Sequence, residues 1–386
     1  MAFFSNAAVN RLNLHYGVRA LAEGAGGLFY LVFLLKAGFS IPQTLLAMAA
    51  ILGGRFLVRP FLTPLGIRFG LRPLIIAGGL LMGLQYPILA QVRGPGLMLL
   101  ALIAVTSAAD ALYWPAFNAY FALIGDDEHR GRQIGVREAL AALAGVVAPL
   151  AGAASLLAFG PSPTFAAVGL VQAASVLPLV TAPNLSVQRR APGAVRAAVP
   201  LALFFFADGW FDAGWYFLWQ IALYTTLGSS LAAYGGAMAI AGLSGAAAGL
   251  VIGDRLDSGA WRRAIAVTYA VAAILVMMRS ASLWAPWLAV AANALGALLI
   301  PLLSPTVGAA TYTLAKASPC ALRYQVVGEA GWDLGGMAAC LLLALCIDKG
   351  LPLGAGILFA LAGLAGEVVF LWRLYGRLPA RAIEIA

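Results

Sequence analysis

Long apolar runs, repeated from one end of this 386-residue chain to the other, limit what it can fold into. Between charged or Pro/Gly punctuation they lie near residues 14–36, 41–65, 73–92, 96–124, 133–159 and 163–183. A second set lies near 199–226, 230–252, 263–280, 284–315, 325–347 and 351–375. A helix needs about 20 apolar residues to cross a bilayer. With 62% hydrophobic and only 10% charged residues, against about 25% charged in a soluble domain, most of this chain has lipid for solvent. The 44 glycines and 20 prolines sit among these runs and do not read as disorder. The expected fold is an all-α polytopic membrane protein of about twelve transmembrane helices.

Counting Lys and Arg in alternate loops gives the orientation. Sixteen lie on one side, from Arg11 through Arg68, Arg72, Arg130 and Arg132 to Arg373, Arg377 and Arg381. The other side holds four: Lys36, Arg93, Arg279 and Lys349. This bias predicts both termini in the cytoplasm; the membrane itself is expected to be a bacterial-type inner (plasma) membrane. It also accounts for the net charge of +9, so nucleic-acid binding, which needs a basic face on a soluble domain, is not expected. Residues Met1 to Leu14 carry one Arg and no cleavable small-residue site, so the first span is read as structure rather than signal. The polar stretch from Pro183 to Pro200 holds Arg189, Arg190 and Arg196. It divides the chain into a six-helix bundle at 1–183, a cytoplasmic linker at 184–198 and a second six-helix bundle at 199–386.

The halves echo one another. Arg132, Glu138-Ala139 and Gly145 recur as Arg323, Glu329-Ala330 and Gly336 at a constant offset of 191. More loosely, Pro115 is matched by Pro305, and Gly66-Ile67-Arg68 by Gly253-Asp254-Arg255. Offsets of 187 to 191 in one direction read as parallel duplication of six spans, a construction common in transporters.

With twelve spans, a six-plus-six repeat and a central linker, the whole chain resembles the major facilitator superfamily of secondary transporters. The family's loop motif between the second and third spans is matched by Gly66, Arg68, Gly70 and Arg72, with Ile67 where the family usually has Asp. The second-half loop keeps the acid, as Asp254 followed by Arg255. The segment Arg130-Gly131-Arg132 also resembles the family pattern after the fourth span, and Gly145, Pro149 and Gly152 partly match its antiporter motif. An intramembrane Arg carried in the fourth span by many drug-proton antiporters is replaced near Ile103. The resemblance implies alternating access about a central cavity, with Arg68, Gly70, Arg72, Arg130, Arg132, Glu138, Asp254, Arg255, Arg323 and Glu329 at a cytoplasmic gate.

A charge at the bilayer centre costs about 2.5–3.5 kcal/mol on insertion scales, so charges inside spans need a partner, water or a function. Arg19 and Glu23 are four apart in the first span and can pair with each other. Asp110, Tyr113, Trp114 and Asn118 interrupt the apolar fourth span. The seventh holds Asp208, Asp212, Trp215, Tyr216, Trp219 and Gln220. Asp208 and Asp212 share a face by their spacing and Tyr216 is expected to continue it. Two carboxylates so placed repel, which suits one of them to load and release a proton. Trp215 and Trp219 form a stripe able to hold an aromatic or cationic group, or else an interfacial belt. The eleventh span repeats the acid spacing in Glu329 and Asp333, beside Trp332. Arg55, Arg59 and Arg137 supply countercharges, with snorkelling to the interface the expected reading of Arg59.

No enzyme constellation is present: His15 and His129, both near expected membrane edges, are too far apart for a metal site or triad, and there is no phosphate-binding loop. No cofactor is expected. Cys320, Cys340 and Cys346 lack metal or redox spacing and read as small helix residues. The expected function is secondary transport of a small organic molecule by a monomer in the bilayer. It is expected to be proton-coupled and inclined towards export of an amphipathic or aromatic compound. Alternatives are uptake of a sugar or organic anion, with Arg19 and Arg55 as anion partners, a lipid flippase, and a non-transporting membrane receptor or scaffold that tolerates Ile67.

Overall fold

A computed structural model describes residues 6–126, 130–252 and 261–375, without the side chains of 130–132, 134, 250–252, 261–264, 304–306 and 309. The helices are α1 (Ala7–Lys36), α2 (Ile41–Phe69), α3 (Leu71–Leu89), α4 (Leu97–Ile124), α5 (Arg130–Phe159) and α6 (Pro161–Val180). After a helix-free stretch come α7 (Ala194–Thr226), α8 (Leu231–Ile252), α9 (Trp261–Ala281), α10 (Pro286–Gly296 continued by Leu299–Ala317), α11 (Ala321–Asp348) and α12 (Leu353–Tyr375). Among the described residues 11 helices are long and apolar enough to cross a membrane; the apolar part of α9, Ile265–Ala281, is shorter. The first helix begins seven residues before the expected span, because amphipathic residues at its start continue the helix beyond the apolar run.

Local chemistry fixes the ends. Ser40 and Gln43 form a reciprocal capping box that starts α2, at 3.3 and 2.9 Å. Gly70, between α2 and α3, has φ +83, and a Cβ there would run into the Asn184 side chain. Only glycine meets both demands.

Packing follows the sequence repeat. In the first half α1 packs on α5 and α6, α2 on α4, and α3 on α4 and α6. Six helices later, α7 packs on α11 and α12, α8 on α10, and α9 on α10 and α12. The halves meet chiefly through α2 against α11 and α5 against α8, an exchanged pair of helix contacts that a two-fold relation between repeats requires. Small residues permit the closest crossings. A Cβ on Gly331 or Gly335 of α11 would strike the α7 backbone at Ala202 or Phe206, and one on Gly242 of α8 would strike Gly145 of α5. Lipid gives apolar helices no hydrophobic reason to associate, so such backbone contact carries the association.

Candidate functional site

Arg55 lies fourteen residues into α2, Asp110 thirteen into α4 and Asp333 twelve into α11. At a rise of 1.5 Å per residue these positions are roughly 20 Å from their helix ends, near mid-depth. They form one network. Arg55 pairs with Asp333 at 2.7 Å, Asp110 at 3.3 Å and Glu329 at 3.6 Å, and its guanidinium lies 4.8 Å from the Trp332 ring centre. Arg59 pairs with Asp333 and, at 3.5 Å, with Glu329. Asn118 donates to Glu329 at 3.0 Å and accepts from Tyr312 of α10 at 3.1 Å. Arg137 of α5 donates to Tyr312 at 3.2 Å and pairs with Glu138 at 2.7 Å. The chain of contacts crosses from one half to the other through four helix pairs, α2–α11, α4–α11, α4–α10 and α5–α10.

Charge in this network does not balance locally: two guanidiniums, Arg55 and Arg59, meet three carboxylates, Asp110, Glu329 and Asp333. Burial makes that imbalance consequential, since Asp333 is 0% and Arg59 2% exposed. The expectation that Arg59 snorkels is therefore wrong. Its partners are some 270 residues away in sequence, and pairing them inside the protein replaces escape to the interface.

A second group lies beside the first. Arg19 and Glu23 pair at 3.8 Å, as their spacing predicts. The guanidinium of Arg19 also lies 4.5 Å from the Trp114 ring centre and 5.3 Å from that of Tyr113. His15 is fully buried within the protein. Its ring nitrogens are satisfied by the Ser175 carbonyl and the Tyr113 hydroxyl, both at 2.8 Å, which explains why burial there is tolerated.

The acid-rich segment of α7 departs from the expected helix. Residues Ala213–Leu218 form a π-helical turn, which inserts an extra residue into the local repeat. Asp208 and Asp212 still share a surface, lining one cavity of ≈ 260 Å³. Tyr216 does not continue that lining; the wider turn brings Trp215 to the cavity instead. The indole stripe is likewise occupied from within. Arg279 of α9, read from sequence as a loop residue, is buried, lies 3.5 Å from the Trp215 and 4.7 Å from the Trp219 ring centres, and donates to the Trp215 carbonyl at 2.7 Å. Glu367 of α12, missed from sequence, completes the cavity wall. Its signal was a single carboxylate in an otherwise apolar span.

At the helix ends holding the described residue nearest each terminus, Arg72 donates to the Val180 and Ala182 carbonyls at 3.1 and 2.7 Å. Arg68 stacks on Phe69, and Arg323 donates to the Arg189 carbonyl at 2.8 Å, tying α11 to the helix-free stretch. Gly66 of α2 abuts Leu322 of α11. Asp254, Arg255 and His129 lie outside the described residues, as do the side chains of Arg130 and Arg132. Cys320, Cys340 and Cys346 are free thiols.

Two helical bundles of related packing meet through buried ion pairs, the architecture of a polytopic membrane protein. Residues 14–339 match the sequence profile of the Major Facilitator Superfamily, and the chain belongs to that family. Its fold is similar to that of the transporter FucP in the outward conformation, with TM-score 0.68 and 13% identity over 95% of this chain and 98% of that one. It is also similar to the human organic anion transporter MFSD10 (TETRAN), with TM-score 0.66 and 15% identity over 95% and 99%. A variant of the E. coli fucose:proton symporter FucP gives TM-score 0.67 and 14% identity over 95% and 98%. Among curated protein sequences none matches this chain.

Proposed function

We propose that this transporter moves a small organic molecule by alternating access, coupled to protons, and that it exports an amphipathic or aromatic compound. The observation carrying this reading is the mid-depth network in which three carboxylates share two guanidiniums across the boundary between the halves. A set of ion pairs that must break for the halves to part is a gate. One carboxylate without a full counterion can take a proton when the gate opens and release it when the gate closes. Asp110 suits that role, because it is more exposed than Glu329 or Asp333 and bonds only one guanidinium. Arg19, Glu23, Tyr113, Trp114, Asn118, Asp208, Asp212, Trp215, Tyr216, Trp219, Trp332 and Asp333 form the substrate and proton pathway on this reading. The Arg68, Arg72, Arg323 end is the cytoplasmic gate, with both termini and the linker at 184–198 on that side of an inner membrane, and the protein acts as a monomer.

The test is proton movement in vesicles loaded with a pH-sensitive dye and challenged with a broad panel of organic compounds. The expected result is compound-dependent proton flux that is lost in Asp110→Asn. Absence of such flux for every compound overturns the coupling.

A second reading has one observation in its favour: Arg19 keeps a single carboxylate at 3.8 Å and presents its charge to aromatic faces. That arrangement would suit uptake of an organic anion, and inhibition of flux by carboxylates with loss of affinity in Arg19→Gln would establish it.

A further inference from the structure

The carboxylates of α7 and α12 differ from those of the central network in having no cation. Among the described residues, no Lys, Arg or His lies within ion-pair distance of Asp208, Asp212 or Glu367. All three nevertheless line the same cavity of ≈ 260 Å³ between α7, α10 and α12. Glu367 is 1% exposed, and Tyr269 donates to its Oε2 at 2.8 Å. The other oxygen, Oε1, is buried and has no hydrogen-bond partner. A buried acceptor left open costs free energy unless something occupies it, and a carboxylate more than a neutral group.

The remaining walls specify what would fit. Phe211, Trp215, Leu299, Leu303 and Val307 are apolar or aromatic. A bare metal ion would leave such walls unused, since hard cations demand oxygen on most sides. A proton alone needs no such volume. The combination of one open carboxylate oxygen, two neighbouring acids and an apolar body-sized space calls for a positively charged nitrogen carried on a hydrophobic group.

We propose that the cavity bounded by Asp208, Asp212 and Glu367 is a binding site for a small organic ammonium ion, with Glu367 Oε1 accepting from its N–H. The ammonium group sits among the three carboxylates, and its hydrocarbon part lies against Phe211, Leu303 and Val307. Tyr269 holds the Glu367 carboxylate by its far oxygen, keeping Oε1 turned to the ligand. This assignment deepens the transport reading by naming a substrate class, and the two stand or fall on different measurements.

The test is binding of phenethylammonium to the purified full-length protein in detergent, measured by calorimetry. Uncharged phenethyl alcohol and anionic phenylpropionate serve as matched controls. Phenethylammonium should bind and the two controls should not. Glu367→Gln, which preserves shape, should weaken binding by about tenfold or more, and Leu303→Trp should block it by filling the cavity without touching a carboxylate. Thermal unfolding of each variant confirms that it is folded. Equal binding of the alcohol, unchanged binding in folded Glu367→Gln, or proton uptake with no ammonium binding overturns the assignment. Vesicle flux is read separately: a protein that transports other compounds but does not bind phenethylammonium leaves the transport reading standing, and one that binds it without moving any compound does the reverse.

Discussion

Arg59 shows how residue-scale energetics govern this protein. It is held against Asp333 and Glu329 in the buried interior, where removing one member of a pair leaves the other charge uncompensated. Arg59→Ala should therefore lower stability by about 3 kcal/mol, and Asp333→Asn by a similar amount, as read from unfolding midpoints in detergent. Replacing both partners with apolar residues of similar volume, Arg59→Met with Asp333→Leu, should recover most of that loss. Two additive losses would mean that the pair is not coupled. Asp208 and Asp212 should behave differently, because neither has a cationic partner to strand: Asn at either position should abolish coupled transport while unfolding is unchanged, and normal transport in both variants would remove them from the pathway. Local reading of the sequence found every acid in the central network but misjudged Arg59. Spacing along one helix reports neighbours three and four residues away and is silent about a carboxylate 274 positions on.

At the scale of the helix, the π-helical turn in α7 and the glycine crossings set the geometry. The turn leaves the Trp215 carbonyl available to Arg279, whose guanidinium also stacks on two indoles. Arg279→Met should remove that bond and loosen the turn. Hydrogen exchange across residues 213–218 should then accelerate, while unchanged exchange would show the turn to be stable without Arg279. Gly242→Leu should force α5 and α8 apart at their crossing, costing about 1–3 kcal/mol by overpacking, measurable as a lowered unfolding midpoint. The helices themselves were legible because lipid dictates long apolar runs. Helix α2, expected at 41–65 and found at Ile41–Phe69, ran four residues on through Gly66 and Arg68, whose polarity cannot mark a helix end. The π turn was not legible, since Ala213 to Leu218 carry no proline or other marker of an inserted residue. Its consequence, Trp215 rather than Tyr216 in the cavity wall, was hidden with it.

Across the whole molecule, the offset of 191 residues in sequence reappears as a repeat in packing, and its exchanged contacts, α2 with α11 and α5 with α8, are the surfaces about which two halves can rock. Contacts between the halves lie at two levels. The Arg55 and Arg59 pairs, with Tyr312, hold them near mid-depth, and Tyr234, which donates to the Leu28 carbonyl at 3.1 Å and meets Phe29 edge-on, holds them nearer the end where α8 starts. Alternating access requires that these contacts open in turn. The most direct test is a pair of spin-label distances in a background with Cys320, Cys340 and Cys346 replaced by alanine. One pair, at Phe69 and Ala317, spans the end that holds Arg72 and Arg323; the other, at Ala37 and Ser229, spans the opposite end. Measured in lipid at two pH values, with and without a transported compound, the two distances should change in opposite directions. Distances that stay fixed under every condition, or that lengthen and shorten together, would contradict alternating access.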